Sequence, residues 1–243
     1  EGGGPLYRRY RIAGLVTDLD CDYPRTIRQA EAYREDTQEE PAIRIPNQRE
    51  KIPQYRHLNP ELSLEDWEYV LTCQEFYLQL LDHQGMMVHA SAVVLDGKAY
   101  LFSADSGTGK STHTQLWLKR FPDAYILNDD KPAVRLQEGR LFAYGTPWSG
   151  KTDWNVNQKV PLGGLVFLQR SEQNWVRPAS GSQMVNNLLK QTLRRLSAPR
   201  MEKMLDMADA LLRNTKVLEL GCNISLDAVD TVYQALVGQE EVK

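Results

Sequence analysis

Residues 99–112 read Ala-Tyr-Leu-Phe-Ser-Ala-Asp-Ser-Gly-Thr-Gly-Lys-Ser-Thr, an apolar run, a glycine-rich turn and the start of a helix-compatible segment that continues to Arg120. That order is a strand, a phosphate loop and a helix. Gly107 and Gly109 allow the backbone to turn successive N–H groups inward onto phosphate oxygens, Lys110 has the reach for β- and γ-phosphates, and the Ser111 hydroxyl can ligate Mg²⁺. Ser106, Thr108 and Thr112 complete the stretch that would line a nucleotide. A Gly-x-Gly-Lys-[Ser/Thr] pattern arises by chance in a chain of this length on the order of one time in a hundred, and its place directly after a strand lowers that further. Ala104 stands where the usual pattern has its first glycine, a departure that keeps the position small.

A phosphate loop calls for a nucleotide and leaves the reaction open. Ala124–Leu127 reads as a strand and runs into Asn128-Asp129-Asp130. If that strand lies beside the phosphate-loop strand, joined to it by the intervening helix, both acids emerge at the carboxyl edge of the sheet, where ligands sit in open α/β folds. One of the two could then hold Mg²⁺ and the other accept a proton from a hydroxyl acceptor; an Asp-Asp turn closing the strand is the alternative. His89 lies in the apolar run Met87–Val94, where a buried structural histidine is the default, as it is for His57, His83 and His113. No Cys or His spacing suits a structural zinc site.

His89, the loop Asp105-Ser106-Gly107-Thr108-Gly109-Lys110-Ser111 and Asp129-Asp130, in that order, resemble the bacterial HPr kinase/phosphorylase family and its smaller HPr-kinase-like relatives, some of which phosphorylate ribosomally made peptides. The resemblance covers residues 86–145 firmly and extends to the C-terminus only loosely. It implies an α/β P-loop HPr-kinase-like core with a mixed β-sheet, ATP and Mg²⁺ as cofactors, and Ser or Thr of a peptide or protein as acceptor. By the same resemblance Asp129 would be the acid/base, His89 would orient it, and Asp130 and Ser111 would hold Mg²⁺. The family's fold is also similar to the core of phosphoenolpyruvate carboxykinase, for which this chain is too short. Gly145-Thr146-Pro147-Trp148-Ser149-Gly150-Lys151 looks like a loop of the HPr-kinase-like branch, in which Trp148 would wall the acceptor and Lys151 would contact an anion. Arg170, ending the run Leu165–Gln169, is a further candidate for a phosphate-facing cation.

The elements that must position these residues are legible in outline. Asp96-Gly97 is a hairpin signal between runs 87–95 and 99–103, and further β-rich runs occupy 133–136, 141–144 and 165–168. Met184, Val185, Leu188, Leu189 and Leu193 mark one helix and Met201, Met204, Leu205, Ala208, Leu211 and Leu212 another, broken by Ser197-Ala198-Pro199. Residues 217–220 read as a strand and 225–237 as a closing helix. Ahead of this core, residues 7–19 read as a hairpin arm, Pro24 opens a short helix to Arg34, and Ser63 with Asp66 caps a helix reaching Asp82. Between them residues 35–62, punctuated by Pro41, Pro46, Pro53 and Pro60, read as a surface excursion that either closes over an acceptor or packs along the core.

The chain of 243 residues therefore divides into an acidic α+β N-terminal region, 1–85, a possible acceptor-recognition element, and a P-loop core, 86–243. Residues 1–85 carry 10 basic and 16 acidic side chains and residues 86–243 carry 19 and 16, so the basic excess lies with the phosphate loop. The net charge of −3 argues against nucleic acid as a main partner. No apolar run approaches a membrane span, the opening Glu1-Gly2-Gly3-Gly4-Pro5 has no signal-peptide character, and Cys21, Cys73 and Cys222 form no CxxC, which together predict reduced thiols in a cytoplasmic protein without a membrane partner. The expected activity is ATP-dependent phosphoryl transfer to a hydroxyl, with acceptor selectivity in the Trp148–Lys151 loop and in 35–62. A small-molecule hydroxyl kinase and a non-catalytic ATP-binding regulator are the rivals.

Overall fold

The structure, a computed structural model, describes residues 4–191 and 195–238. In chain order the N-terminal part forms β1 (Arg8–Ile12), β2 (Leu15–Leu19), α1 (Pro24–Ala30), β3 (Ile43–Ile45), α2 (Ile52–Tyr55) and α3 (Leu64–Leu80). There follow β4 (Gly85–Met87), β5 (Ser91–Leu95), β6 (Lys98–Ser103), α4 (Lys110–Arg120), β7 (Tyr125–Asn128), β8 (Ala133–Gln137), β9 (Arg140–Tyr144), β10 (Lys159–Arg170), β11 (Trp175–Pro178), α5 (Gly181–Leu189), α6 (Ala198–Asn214), β12 (Lys216–Cys222) and α7 (Leu226–Val237). Ser63 and Asp66 bond reciprocally at the start of α3, the capping box their spacing predicts. Ser197 caps α6 with a proline in its first turn, which is why the helical pattern breaks there. Leu193, assigned above to the first helix of that pair, lies outside the described residues.

A mixed sheet of nine strands carries the core, in the order β4-β8-β9-β10-β6-β5-β7, with β12 also on β10 and β11 on β12. Strand β10 joins its two halves: Lys159–Pro161 pair antiparallel with β9, and the rest runs parallel to β6 and β12. Helices α3, α5 and α6 cover one face, with Phe76, Leu80, Met184, Leu188, Met204 and Leu211 buried in one cluster. Helices α4 and α7 cover the other, with Trp117, Val229 and Val232 against Tyr100, Phe102 and Val166. Tyr10, Ile12, Leu19, Ile43 and Ile45 of the small sheet β1-β2-β3 belong to the first cluster, so 1–85 and 86–243 share apolar packing.

Two expectations about placement need correction. The run 87–95 is not one strand: it breaks at Val88–Ala90, where the Val88 N–H donates to Pro132 O at 3.1 Å and the Ala90 N–H to Asp130 O at 3.0 Å. His89 therefore lies in a bend against the loop after β7. Strand β7 does not lie beside β6, because the β5–β6 hairpin occupies that flank and β5 separates them. Since β5 is antiparallel to both, β7 still runs in the direction of β6, and the acids still emerge at the phosphate-loop edge. Of the two readings of 35–62, the structure shows packing along the core: Ile43 and Ile45 are fully buried on β3, and the Gln79 side chain of α3 bonds both the N–H and the C=O of Arg44, covering that edge strand.

His113 is a core residue of α4. Its Nε2 accepts from Trp117 Nε1 at 3.0 Å, and burial pulls its pKa down to about 4, so it is neutral at pH 7. Cys21, Cys73 and Cys222 are all unpaired. Among the described residues no helix is long and apolar enough to cross a membrane.

Candidate active site

The phosphate loop leaves β6 at Ser103 and enters α4 at Lys110. Gly107 and Gly109 have φ of 78° and 101°, the left-handed region that side-chain-bearing residues avoid, and a Cβ at either would meet no atom within 4 Å. The loop is thus an open cradle. Gly109 is the N-cap of α4 with no side-chain cap, so the first N–H groups of the helix are available to an anion. Ser106, Ser111 and Thr112 are exposed and Thr108 is half-buried along this cradle. Arg170, at the end of β10, donates from Nη2 to Gly107 O, which places a guanidinium against the loop.

On the neighbouring edge, Asp130 is gripped from several sides. His89 Nε2 lies 3.1 Å from Oδ1, Lys131 Nζ lies 3.3 Å from the same oxygen, and the Tyr69 hydroxyl of α3 donates to Oδ2. Burial alone would push the Asp130 carboxyl up; the His89 hydrogen bond, the Lys131 charge and the Tyr69 hydroxyl outweigh it and hold the group well below the usual carboxylate range. The Asp130 bond tends to raise the His89 pKa, but burial together with the Lys131 and Lys110 charges leaves it below the ordinary value. His89 thus places an imidazole nitrogen against a half-buried carboxylate. Asp129 is held differently: its Oδ2 accepts from Thr152 Oγ1 at 3.0 Å and its N–H donates to Trp154 O at 2.9 Å. Burial lowers the Lys110 pKa, and Asp130 and Asp129 oppose that shift, so the loop ammonium and both carboxylates share one electrostatic neighbourhood.

The structure thus brings Lys110, Asp129, Asp130 and His89 together, with His89 on Asp130 rather than on Asp129. It does not bring Trp148 to an open surface. Trp148 is fully buried, its ring 5.0 Å from that of Phe76 and its Nε1 donating to Thr72 Oγ1 at 3.2 Å, so it cannot wall an acceptor. An aromatic ring of that area gains more in the core than at a rim. Trp148→Ala is expected to cost about 3–5 kcal/mol of stability, read as a lowered urea midpoint. Lys151 is exposed on the same loop, one residue after Gly150. Gly150 has φ of 66°, and a Cβ there would sit 3.1 Å from Asp130 Cβ.

Tyr69 carried no local signal. It sits mid-helix in α3, its hydroxyl accepts from the Gly150 N–H at 3.0 Å while donating to Asp130, and Arg25 of α1 stacks over its ring at 3.9 Å. Gln29 of α1 holds the same residue through its carbonyl, donating to Gly150 O at 2.8 Å. Lys131 was adjacent to the acids in sequence, and that adjacency was the one available clue.

The phosphate loop lies between two clefts. One, of about 500 Å³, is lined by His89, Asp105, Ser106 and the polar face of α5; the other, of about 720 Å³, by Thr108, Gly109, Thr112, Arg170 and Ile224. Residues 63–225, which include α3, the loop, both acids and both clefts' main walls, match the family described as SynChlorMet cassette protein ScmC. The chain belongs to the ScmC family. Among solved structures it is similar to the Hpr(Ser) kinase/phosphatase from Coxiella burnetii at 15% identity, over 63% of this chain and 93% of that one, with a TM-score of 0.36. No curated protein matches the sequence.

Proposed function

We propose that this ScmC-family chain is an ATP-dependent kinase that transfers the γ-phosphoryl group to a hydroxyl, with Ser or Thr of a peptide as the acceptor. The observation that carries the reading is the shared neighbourhood of Lys110, Asp129 and Asp130 at an uncapped, glycine-cradled helix N-terminus. A binding module needs the cradle and one metal-holding acid. A second acid with an oxygen to spare fits phosphoryl transfer, in which the protein's work is positioning and charge stabilisation.

In this mechanism the N–H groups of Gly107, Gly109 and Lys110 and the Lys110 ammonium bind the β- and γ-phosphates, while the Thr108 N–H braces the loop on Asp105 O at 3.1 Å. Asp129, whose Oδ2 takes one hydroxyl from Thr152, accepts the acceptor's proton as its oxygen bonds to the γ-phosphorus. The bond from that phosphorus to the β–γ bridging oxygen breaks, and ADP leaves. Asp130, fixed and ionised, and the exposed Ser111 hydroxyl are hard oxygen ligands suited to Mg²⁺, which when bound neutralises charge on the phosphate oxygens. His89 and Tyr69 hold Asp130 in place and so act on the reaction through it.

Incubation with Mg-ATP and with peptides encoded beside the gene, as the cassette in the family's name suggests, followed by mass spectrometry for a gain of one phosphoryl group, tests the proposal. ADP formation that no peptide or alcohol accelerates would overturn it in favour of an ATP-binding regulator. Tyr69→Phe removes one hydroxyl without changing ring packing, and it should lower kcat by roughly 10-fold or more, the order for a hydrogen bond to a charged group. The ATP dissociation constant should stay within about twofold; a matching rise in that constant would mean Tyr69 serves the nucleotide site.

A further inference from the structure

The cleft of about 500 Å³ beside Ser106 has a wall that the nucleotide does not need. In a phosphate loop the backbone N–H groups cradle the α- and β-phosphates and the lysine reaches the β- and γ-phosphates. The cleft bordered by Asp105, Ser106 and His89 carries the imidazole that touches Asp130, so it opens on the side of the acids, where the acceptor must enter, and the cleft bordered by Thr108, Gly109 and Thr112 is left for the nucleoside.

Helix α5 supplies that entrance with side-chain amides. Met184 and Leu188 turn into the core, which leaves Asn186, Asn187, Lys190 and Gln191 on the cleft. The helical turn persists past Leu189, with the Lys190 N–H on Asn186 O at 3.3 Å and the Gln191 N–H on Leu188 O at 3.2 Å. Gln191 Oε1 accepts the His89 N–H at 2.9 Å, so this row of amides is tied to the residue that holds Asp130. Gln183 is already engaged with Glu219, which also takes Arg177. Asn186 and Asn187 make no side-chain hydrogen bond among the described residues, although each presents a donor and an acceptor in one plane.

Resting on the kinase reading, we propose that this cleft is the acceptor site and that Asn187 and Asn186 hold an extended peptide by its main chain, with Gln191, whose Oε1 is taken by the His89 N–H, offering its Nε2. A planar amide complements a peptide group, pairing its N–H₂ with the peptide C=O and its C=O with the peptide N–H. Asn187 is four residues before Gln191, a helical rise of about 6 Å, which matches about two residues of extended chain. The peptide group it holds is thus about two residues from the hydroxyl that faces the acids. Recognition of main chain predicts tolerance of sequence around the phosphorylated residue, with Lys190 adding a preference for an acidic side chain.

The test uses the full chain, Mg-ATP and an equimolar library of acetylated, amidated nonapeptides with one central Ser and randomised flanks, beside free serine, glycerol and glucose. Phosphorylation spread over many library members is expected, with Asn187→Ala and Asn186→Ala/Asn187→Ala raising peptide KM by about tenfold or more, the loss of one or two hydrogen bonds. The Mg-ATP dissociation constant of both variants should stay within about twofold of the parent. Peptides N-methylated two residues from the Ser should lose a similar factor on the unaltered protein, which keeps the test independent of how the variants fold. Unchanged peptide KM in both variants with no N-methyl effect, or transfer to the small alcohols alone, would each overturn the assignment. Failure of the kinase reading looks different: no transfer to any peptide or alcohol, whether or not Mg-ATP binds, or wild-type turnover in Lys110→Met.

Discussion

Lys110→Met is expected to leave phosphoryl transfer at the limit of detection while the protein stays folded. Burial lowers the pKa of the loop ammonium, and the charges of Asp130 and Asp129 oppose that shift. With a methionine there, the triphosphate would approach two carboxylates with Arg170 and the backbone N–H groups of the cradle to meet it, Lys131 being already engaged on Asp130. Inside a half-buried site such repulsion is worth far more than in water. Loss of a single preorganised donor costs on the order of 100- to 1000-fold in turnover, and loss of a full charge at the transferring group should exceed that. ATP affinity should fall as well, since the same charge acts in the ground state. The measurements are ADP formation, ATP binding by calorimetry and a thermal melt. Parent-like turnover would remove the loop from the mechanism; a collapsed melt would mean that Lys110 holds the fold instead.

The two acids should fail in different ways. Asp129→Asn keeps the Thr152 contact and the volume but cannot accept a proton, so transfer should fall by about 100-fold or more, the usual order for a general base, with Mg-ATP affinity nearly unchanged. Asp130→Asn removes the charge that His89, Lys131 and Tyr69 surround. It should raise the Mg²⁺ concentration needed for half-maximal rate and also lower stability, because Lys131 loses its partner in a half-buried setting. Kinetics at several Mg²⁺ concentrations, together with urea melts, separate the two phenotypes. If Asp130→Asn instead abolishes transfer with normal metal dependence, while Asp129→Asn remains active, the acid that takes the proton is Asp130 and the roles must be exchanged.

The chemistry-bearing residues were legible because local geometry demands particular side chains. A backbone at positive φ before an uncapped helix requires glycine, and the ammonium and hydroxyl that follow are within one helical turn, so Gly107-Thr108-Gly109-Lys110-Ser111 declares itself in linear sequence. The hairpin turn at Asp96-Gly97 and the capping box at Ser63 and Asp66 are legible for the same reason, as both contacts lie within three residues. The order of strands was not: β5 between β6 and β7 is set by which edge the hairpin takes, and a periodicity of two residues says which face a strand buries, not which neighbour it has.

Trp148 shows the limit most plainly. In sequence it stands in a Pro- and Gly-containing turn between polar residues, the setting of an exposed ring, yet Phe76 and Thr72 from a helix about 70 residues earlier enclose it. The linkage of His89 to Asp130, the hold of Tyr69 on the same carboxylate and the amide row of α5 along the cleft are of this kind. The sequence by itself determined the phosphate loop, the pair of acids, the capped helices and the α/β class, each through contacts a few residues long. Which acid His89 touches, which surface the acceptor could enter and where Trp148 lies were decided by tertiary packing alone, because those contacts form only when apolar burial brings together segments that carry no mark of one another.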